Sequence, residues 1–262
     1  YRISKNWTSS LAYGRFYQNP ENQYFGIHDL NFQKAEHYVL QVQKAEEGRS
    51  FRAEAFYKNY EDLIKTKLEK YRPVAISNNG DGFAKGIELF WRDKKSIKNI
   101  DYWVSYSFLD SKRNFQNYDQ SLFTNFAAKH TLSLVAKKFV TDWKTGFNLS
   151  YSYASGRPYY NFLTDDNGNY YLNSKGKVKD FNALNFSLNY LPNLGKNDSK
   201  SFPVLVLSVN NILNQKNIYG YNFSRDGLRS QPILPSANTF IFVGAFISFG
   251  IDRTQDAIDN NL

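Results

Sequence analysis

The sequence predicts an all-β fold, an antiparallel transmembrane β-barrel with about ten strands in this chain, and three observations carry that expectation. The first is period two. In residues 129–160, Leu132, Leu134 and Ala136 alternate with Thr131, Ser133 and Val135; then Trp143, Thr145, Phe147, Leu149, Tyr151 and Tyr153 alternate with Lys144, Gly146, Asn148, Ser150 and Ser152. A strand with one apolar side is wet on one face only. The second is length: these arms run about 10–12 residues, longer than the usual ~5–6 and enough for a tilted strand to cross a bilayer's hydrocarbon. The third is the order of connections, which alternate long and short along the whole chain, as in outer-membrane barrels.

Residues 1–17 read as the first strand, with Tyr1, Ile3, Trp7, Leu11, Tyr13 and Tyr17 on one parity, ending at Pro20. A polar and aromatic loop leads to the second strand, residues 35–44, in which Tyr38, Leu40 and Val42 alternate with Val39, Gln41 and Gln43. Gly48 supplies the positive φ of a tight turn. The third strand, residues 50–60, sets Phe51, Ala53, Ala55 and Tyr57 against Arg52, Glu54 and Lys58. Residues 61–83 read as a loop, with Pro73 and a turn-prone run, Asn78-Asn79-Gly80-Asp81-Gly82. The fourth strand separates Ile87, Leu89 and Trp91 from Glu88, Phe90 and Arg92, and the fifth carries Tyr102, Val104, Tyr106 and Phe108. After a loop over residues 110–127 come the two arms described above. The next loop, to about residue 180, holds an Asn167-Gly168 pair that signals a small type I′ hairpin. The eighth strand carries Leu184, Phe186, Leu188 and Tyr190, and the ninth Leu205, Leu207 and Val209. A loop over residues 213–237 precedes the last strand, which keeps Ile241, Val243, Ala245, Ile247 and Phe249 on one parity.

Composition agrees. The 262 residues carry a net charge of +9 and a mean hydropathy of −0.58, which suits a barrel in which only alternate residues meet lipid. No run approaches the ~18 apolar residues of a transmembrane helix. Aromatic residues reach 18%, which girdles at two membrane interfaces would explain. With no cysteine there is no disulfide and no thiolate chemistry. Methionine is also absent and Tyr1 falls inside an alternating pattern, so the expectation is a mature chain or the C-terminal part of a longer one. Lys and Arg are scattered through turns and loops, not ranked on one face among stacking aromatics, so nucleic acid is not an expected partner. Basic loops would instead meet anionic outer-leaflet lipids.

Five charged residues, Arg52, Glu54, Lys58, Glu88 and Arg92, alternate strictly with apolar neighbours and are candidates for a watery interior wall. They either face a plug or passing substrate, or satisfy one another as cross-strand ion pairs. Arg157 and Tyr159, in Gly156-Arg157-Pro158-Tyr159, are candidate ligand residues at the start of an outer loop. His28, His37 and His130 sit where a rim hydrolase would place a base, or where a wet boundary tolerates histidine; no pair has metal-ligand spacing. Residues 165–169, Asp-Asp-Asn-Gly-Asn, partly match a calcium loop but lack its distal bidentate Glu, and turn chemistry explains them.

The segments GFAKGIELFWR (82–92), YASGRPYY (153–160), VNNILNQKNIYGY (209–221) and FIFVGAFISFG (240–250) resemble the C-terminal barrel of TonB-dependent outer-membrane receptors, and AEHYVLQVQ with FRAEAFYKNYEDLI resembles the paired strands before them. The resemblance implies a barrel of about 22 strands whose lumen an N-terminal plug domain fills. Neither the plug nor the segment that engages TonB is found in this chain. It further implies import of a scarce solute (siderophore, haem, vitamin, glycan or peptide) across the outer membrane of a Gram-negative bacterium. The expected partners are the plug, the TonB complex, outer-membrane lipids, a small-molecule or oligomeric substrate and, for some members, a surface lipoprotein. Residues 1–251 would be barrel strands with long extracellular loops and short periplasmic turns, and residues 252–262 a periplasmic tail. No catalysis, cofactor or metal is expected. A passive pore, a small closed barrel and a barrel hydrolase are the alternatives.

Overall fold

The computed structural model describes residues 1–24, 30–196 and 199–250; His28 and the 252–262 tail lie outside the described residues. In chain order the strands are β1 (Trp7–Gln18), β2 (Gln33–Glu46), β3 (Arg49–Glu69), β4 (Arg72–Asp93), β5 (Ile100–Asn114), β6 (Leu122–Phe123), β7 (His130–Val140) and β8 (Thr145–Ala154). Then follow β9 (Pro158–Thr164), β10 (Tyr170–Lys177), β11 (Phe181–Tyr190), β12 (Ser201–Asn210), β13 (Gly220–Phe223), β14 (Ser230–Ile233) and β15 (Phe240–Phe249). One sheet runs β1-β2-β3-β4-β5-β7-β8-β11-β12-β15, with β6 attached to β5. These ten strands are the ten the alternation predicts, each antiparallel to its chain neighbour.

Register explains why period two could be read so cleanly. One face carries Leu11 opposite Leu40, Leu40 opposite Ala55, Ala55 opposite Ile87 and Ile87 opposite Phe108. Further along it carries Ala136 opposite Leu149, Leu149 opposite Phe186, Phe186 opposite Val209 and Val209 opposite Ile241. A slip of one residue on any strand would turn its apolar set to the other face, so the face fixes the register. The side chains point away from the protein: Leu11 is 82% exposed, Val243 76%, Ile87 48% and Leu149 46%. An apolar face of that extent left bare is what hydrocarbon, not water, would cover.

Two aromatic rows bound it. Toward the short-turn end the rings of Trp7, Phe51 and Trp91 succeed one another at 6.2 and 6.4 Å; toward the other end Tyr13, Tyr38 and Tyr57 do so at 4.9 and 6.4 Å. From Phe51 to Tyr57 the strand rises about 20 Å, the scale of a barrel's apolar band of about 25 Å. The described residues hold only small apolar clusters. One, Phe139, Leu191, Leu194 and Phe202, seals the β7–β8 and β11–β12 turns; the other, Tyr24, Ile64 and Ala75, lies under the long loops.

Several expectations need correction. Strand one begins at Trp7, because residues before it fold back along its edge, where Ser9 N–H donates to Tyr1 O at 2.8 Å. Trp143 is not in a strand: it stands 65% exposed in the turn between β7 and β8, its ring 6.0 Å from Phe147. Residues 61–83 are not a loop. β3 and β4 continue through them for 21 and 22 residues and reverse at Lys70 and Tyr71, which take φ of +47° and +66°. Gly80 and Gly82 serve close approach, not turning: a Cβ on Gly80 would stand 2.5 Å from Asn114 O, and on Gly82 2.7 Å from Lys112 O. The hairpin at 165–169 forms, but a type I′ turn needs two left-handed residues and only Gly168 is one, at +82°. Among the described residues β1 and β15 end the strand order and do not pair with each other, so the ten strands form an open sheet and not a small closed barrel.

The short-turn end is pinned at Asp93, which is buried, beyond Trp91. Its carboxylate accepts the Lys95 and Ser96 N–H at 2.6 and 2.8 Å and the Ser96 hydroxyl at 2.7 Å, and pairs with Arg49 at 3.0 Å. Burial alone would raise this carboxyl; the hydrogen bonds and the guanidinium outweigh it and hold it at about 2. A carboxyl held below its unfolded value, 3.8, contributes stability above that pH and loses it as pH falls toward about 2. Acid unfolding followed from pH 5 to 2 should therefore lose part of its slope between pH 4 and 2 in Asp93→Asn.

Candidate functional site

The face opposite the apolar one is the first candidate surface. Arg52, Glu54, Lys58, Glu88 and Arg92 all lie on it, since their partners across β3 and β4 share one parity. Arg92 donates twice to Asp101, at 2.9 and 2.6 Å, and its guanidinium stands 5.6 Å over the Trp103 ring. Lys58 stands 5.2 Å over Phe56 and opposite His37. Glu54 lies directly opposite Glu88, with Gln41 on its other side. Like charges directly opposed on a sheet are destabilising. Among the described residues no ion pair joins any two of the five, so the cross-strand pairing that the sequence left open is not what they form with one another. Asp101 is the partner the sequence reading missed: it lies near the start of β5 on the parity of Trp103, Ser105 and Ser107, just before the stretch in which that alternation was read.

The second candidate surface is the set of long connections. The extended β3–β4 hairpin, the β5–β7 connection and the β9–β10 and β13–β14 hairpins pack together. Leu68 N–H donates to Gly168 O at 2.7 Å, Leu172 N–H to Asp119 Oδ2 at 2.9 Å, and Asn161 Nδ2 to Gly227 O at 3.0 Å. Tyr118, 3% exposed, sits among Phe115, Tyr160 and Phe162 at ring distances of 5.2 to 5.5 Å. Arg113 stands 4.3 Å over Tyr60 and 5.4 Å over Phe115. Burial, then the neighbouring Tyr118, pushes the Tyr160 phenol up to about 12, and its hydroxyl donates to Phe123 O at 2.8 Å. Burial lowers the Lys65 ammonium, which donates to Tyr118 O.

Arg157 and Tyr159 hold this assembly together. Arg157 donates to Tyr219 O, and the Tyr159 ring lies 4.8 Å from Tyr221 and 5.8 Å from Phe223, which couples the β9–β10 hairpin to the β13–β14 hairpin. His130 faces the apolar side, its Nδ1 2.9 Å from the Tyr106 hydroxyl. The Asp165 carboxylate is taken up by its own turn, accepting from Asn167 N–H, Asn169 N–H and Asn169 Nδ2 at 2.8 to 3.0 Å. The side chain of Asn169, then its N–H, lowers the Asp165 pKa.

No protein-family profile and no curated protein sequence matches the chain. Solved structures do. The ferric citrate transporter FecA, in unliganded form, superposes with a TM-score of 0.70 at 15% identity over 95% of this chain and 37% of its own. The pyoverdine outer-membrane receptor FpvA from Pseudomonas aeruginosa, bound to pyoverdine, gives 0.69 at 10% over 94% and 34%. The ferric-catecholate import receptor Fiu from E. coli gives 0.66 at 15% over 95% and 34%. The chain thus spans about a third of the length of the structures it matches. Identities this low speak to fold, and the fold agrees with the outward apolar face, the two aromatic rows and the sorted connections: the chain has the fold of a part of the β-barrel of TonB-dependent outer-membrane receptors.

Proposed function

We propose that this chain is part of the barrel wall of a TonB-dependent importer in the outer membrane of a Gram-negative bacterium, taking up a scarce solute. The observation that carries the reading is the continuous outward apolar face, bounded by aromatic rows, on a sheet that superposes on import receptors over 95% of the chain. Residues 1–251 act as barrel strands, with the long connections outside the cell and the short turns in the periplasm, and residues 252–262 follow as a periplasmic tail.

The chain's own residues have two tasks in this scheme. The inward charges Arg52, Glu54, Lys58, Glu88 and Arg92 face a plug domain or a passing solute. Glu54 and Glu88, opposed across β3 and β4 and without an ion-pair partner among the described residues, suit a wall that receives a basic group from another part of the barrel. Arg157 and Tyr159 shape the outer loops that receive the solute. TonB, driven by the inner-membrane proton gradient, would then displace the plug and open the path. No step makes or breaks a covalent bond.

The full-length protein in a planar bilayer discriminates the importer from a passive pore. An importer with its lumen filled is expected to show no steady conductance until mild urea loosens the plug. A steady open-channel current without denaturant would show a pore and overturn the reading.

A further inference from the structure

Two adjoining pockets lie at the base of the long connections. The first, of about 240 Å³, is lined by Leu109, Phe123, Ala127, Ala128, Gly156 and Pro158, with Lys129 and Lys177 among its lining residues. The second, also of about 240 Å³, shares Ala128 and Gly156 with the first, adds Val178, Phe181 and Ile218, and includes Arg157 and Lys179. Each lies just below the roughly 300–1,000 Å³ of typical small-molecule sites, and the two adjoin at Ala128 and Gly156. Their charge is one-sided. Among the described residues Lys129 has no carboxylate partner and stands over the Phe108 and Phe123 rings at 5.6 and 5.8 Å. The nearby acid, Asp180, is already engaged: it accepts Gly156 N–H at 2.8 Å and the Tyr153 hydroxyl at 2.9 Å, and reaches Lys177 only at 4.0 Å.

The geometry points to a subsite for an organic anion, a ligand with an apolar body in the shared pocket and a carboxylate or similar acid held by Lys129 and Lys177. Apolar lining favours the body through area removed from water, and an ammonium that lacks a close carboxylate gains a charge-assisted hydrogen bond when an acid arrives. Neither half of such a ligand suffices alone. A neutral body leaves the lysines solvated as before, and a small inorganic anion leaves the pocket unfilled. Gly156 makes the shared floor: a Cβ there would stand 1.8 Å from Val178 O, so the two connections meet at this point only with glycine.

This inference deepens the importer reading by naming the chemistry of one ligand class, and its test is independent of energised uptake. The probe is 2-naphthoate, with neutral 2-naphthamide as its control, titrated calorimetrically into the full-length protein in lipid nanodiscs. Naphthoate is expected to bind saturably and more tightly than the amide. Lys129→Gln with Lys177→Gln should weaken naphthoate roughly tenfold or more, the loss of about one charge-assisted hydrogen bond, and leave the amide unchanged. Ala128→Trp, which fills the shared floor, should abolish both, with heat-modifiable gel mobility confirming an intact barrel. Equal binding of acid and amide, or naphthoate affinity unmoved by the double substitution, overturns the site and leaves the conductance result standing.

Discussion

Leu89→Arg is expected to destabilise the bilayer-inserted protein by about 2–4 kcal/mol, the cost of a cation near the midplane on the lipid face of a barrel. Leu89 lies between Ala53 and Tyr106 in the apolar face and is 39% exposed on its outer side. In water, a substitution at so exposed a site would fall within about 0.5 kcal/mol. The two environments thus give opposite forecasts for one residue. The control is Ser105→Arg, on the other face opposite Phe90 and Ser133, expected to cost under about 1 kcal/mol in the bilayer. Reversible urea unfolding from vesicles measures both.

The second large effect is expected at Gly86. It faces inward opposite Phe56, whose ring lies across it, and a Cβ there would stand 2.2 Å from Phe108 O and 2.7 Å from the Phe56 ring. The ring can turn; the carbonyl belongs to the β4–β5 ladder and cannot move without breaking it. Gly86→Val should cost about 1–3 kcal/mol by overpacking, seen as a lowered urea midpoint. Gly14→Val should cost less, because the atoms its Cβ would meet, at 2.9 Å and beyond, belong to the Phe16 side chain alone. A midpoint for Gly86→Val equal to that of Gly14→Val would show that the ladder is not fixed there.

How much of this was legible depends on whether an element is set by local pattern or by distant approach. The ten strands were legible because each carries its own alternation, and the inward placement of Arg52, Glu54, Lys58, Glu88 and Arg92 followed from parity alone. The β3–β4 extension was not, because Gly80 and Gly82 look like turn residues until Asn114 O and Lys112 O are seen against them. The true reversal uses Lys70 and Tyr71, which carry no turn signature. Arg157 and Tyr159 were singled out from a short local motif, but their partners, Tyr219, Tyr221 and Phe223, lie some sixty residues on. The β13–β14 hairpin they brace has four-residue strands, too short for alternation to reveal.

The central claim is that one parity of each strand faces hydrocarbon and the other faces water. The chain has no cysteine, so a thiol introduced here is unique within it, and any cysteine elsewhere in the full-length protein is first replaced by serine. Cysteines placed one at a time at Leu132, Ser133, Leu134, Val135 and Ala136 of β7, in the full-length protein in vesicles, can be labelled with a nitroxide and tested for collision with oxygen and with a water-soluble nickel chelate. Oxygen should dominate at 132, 134 and 136, and the chelate should gain at 133 and 135. A collision ratio that is flat along the five positions, or high for the chelate at Leu134, would contradict the membrane-facing sheet and the importer built on it.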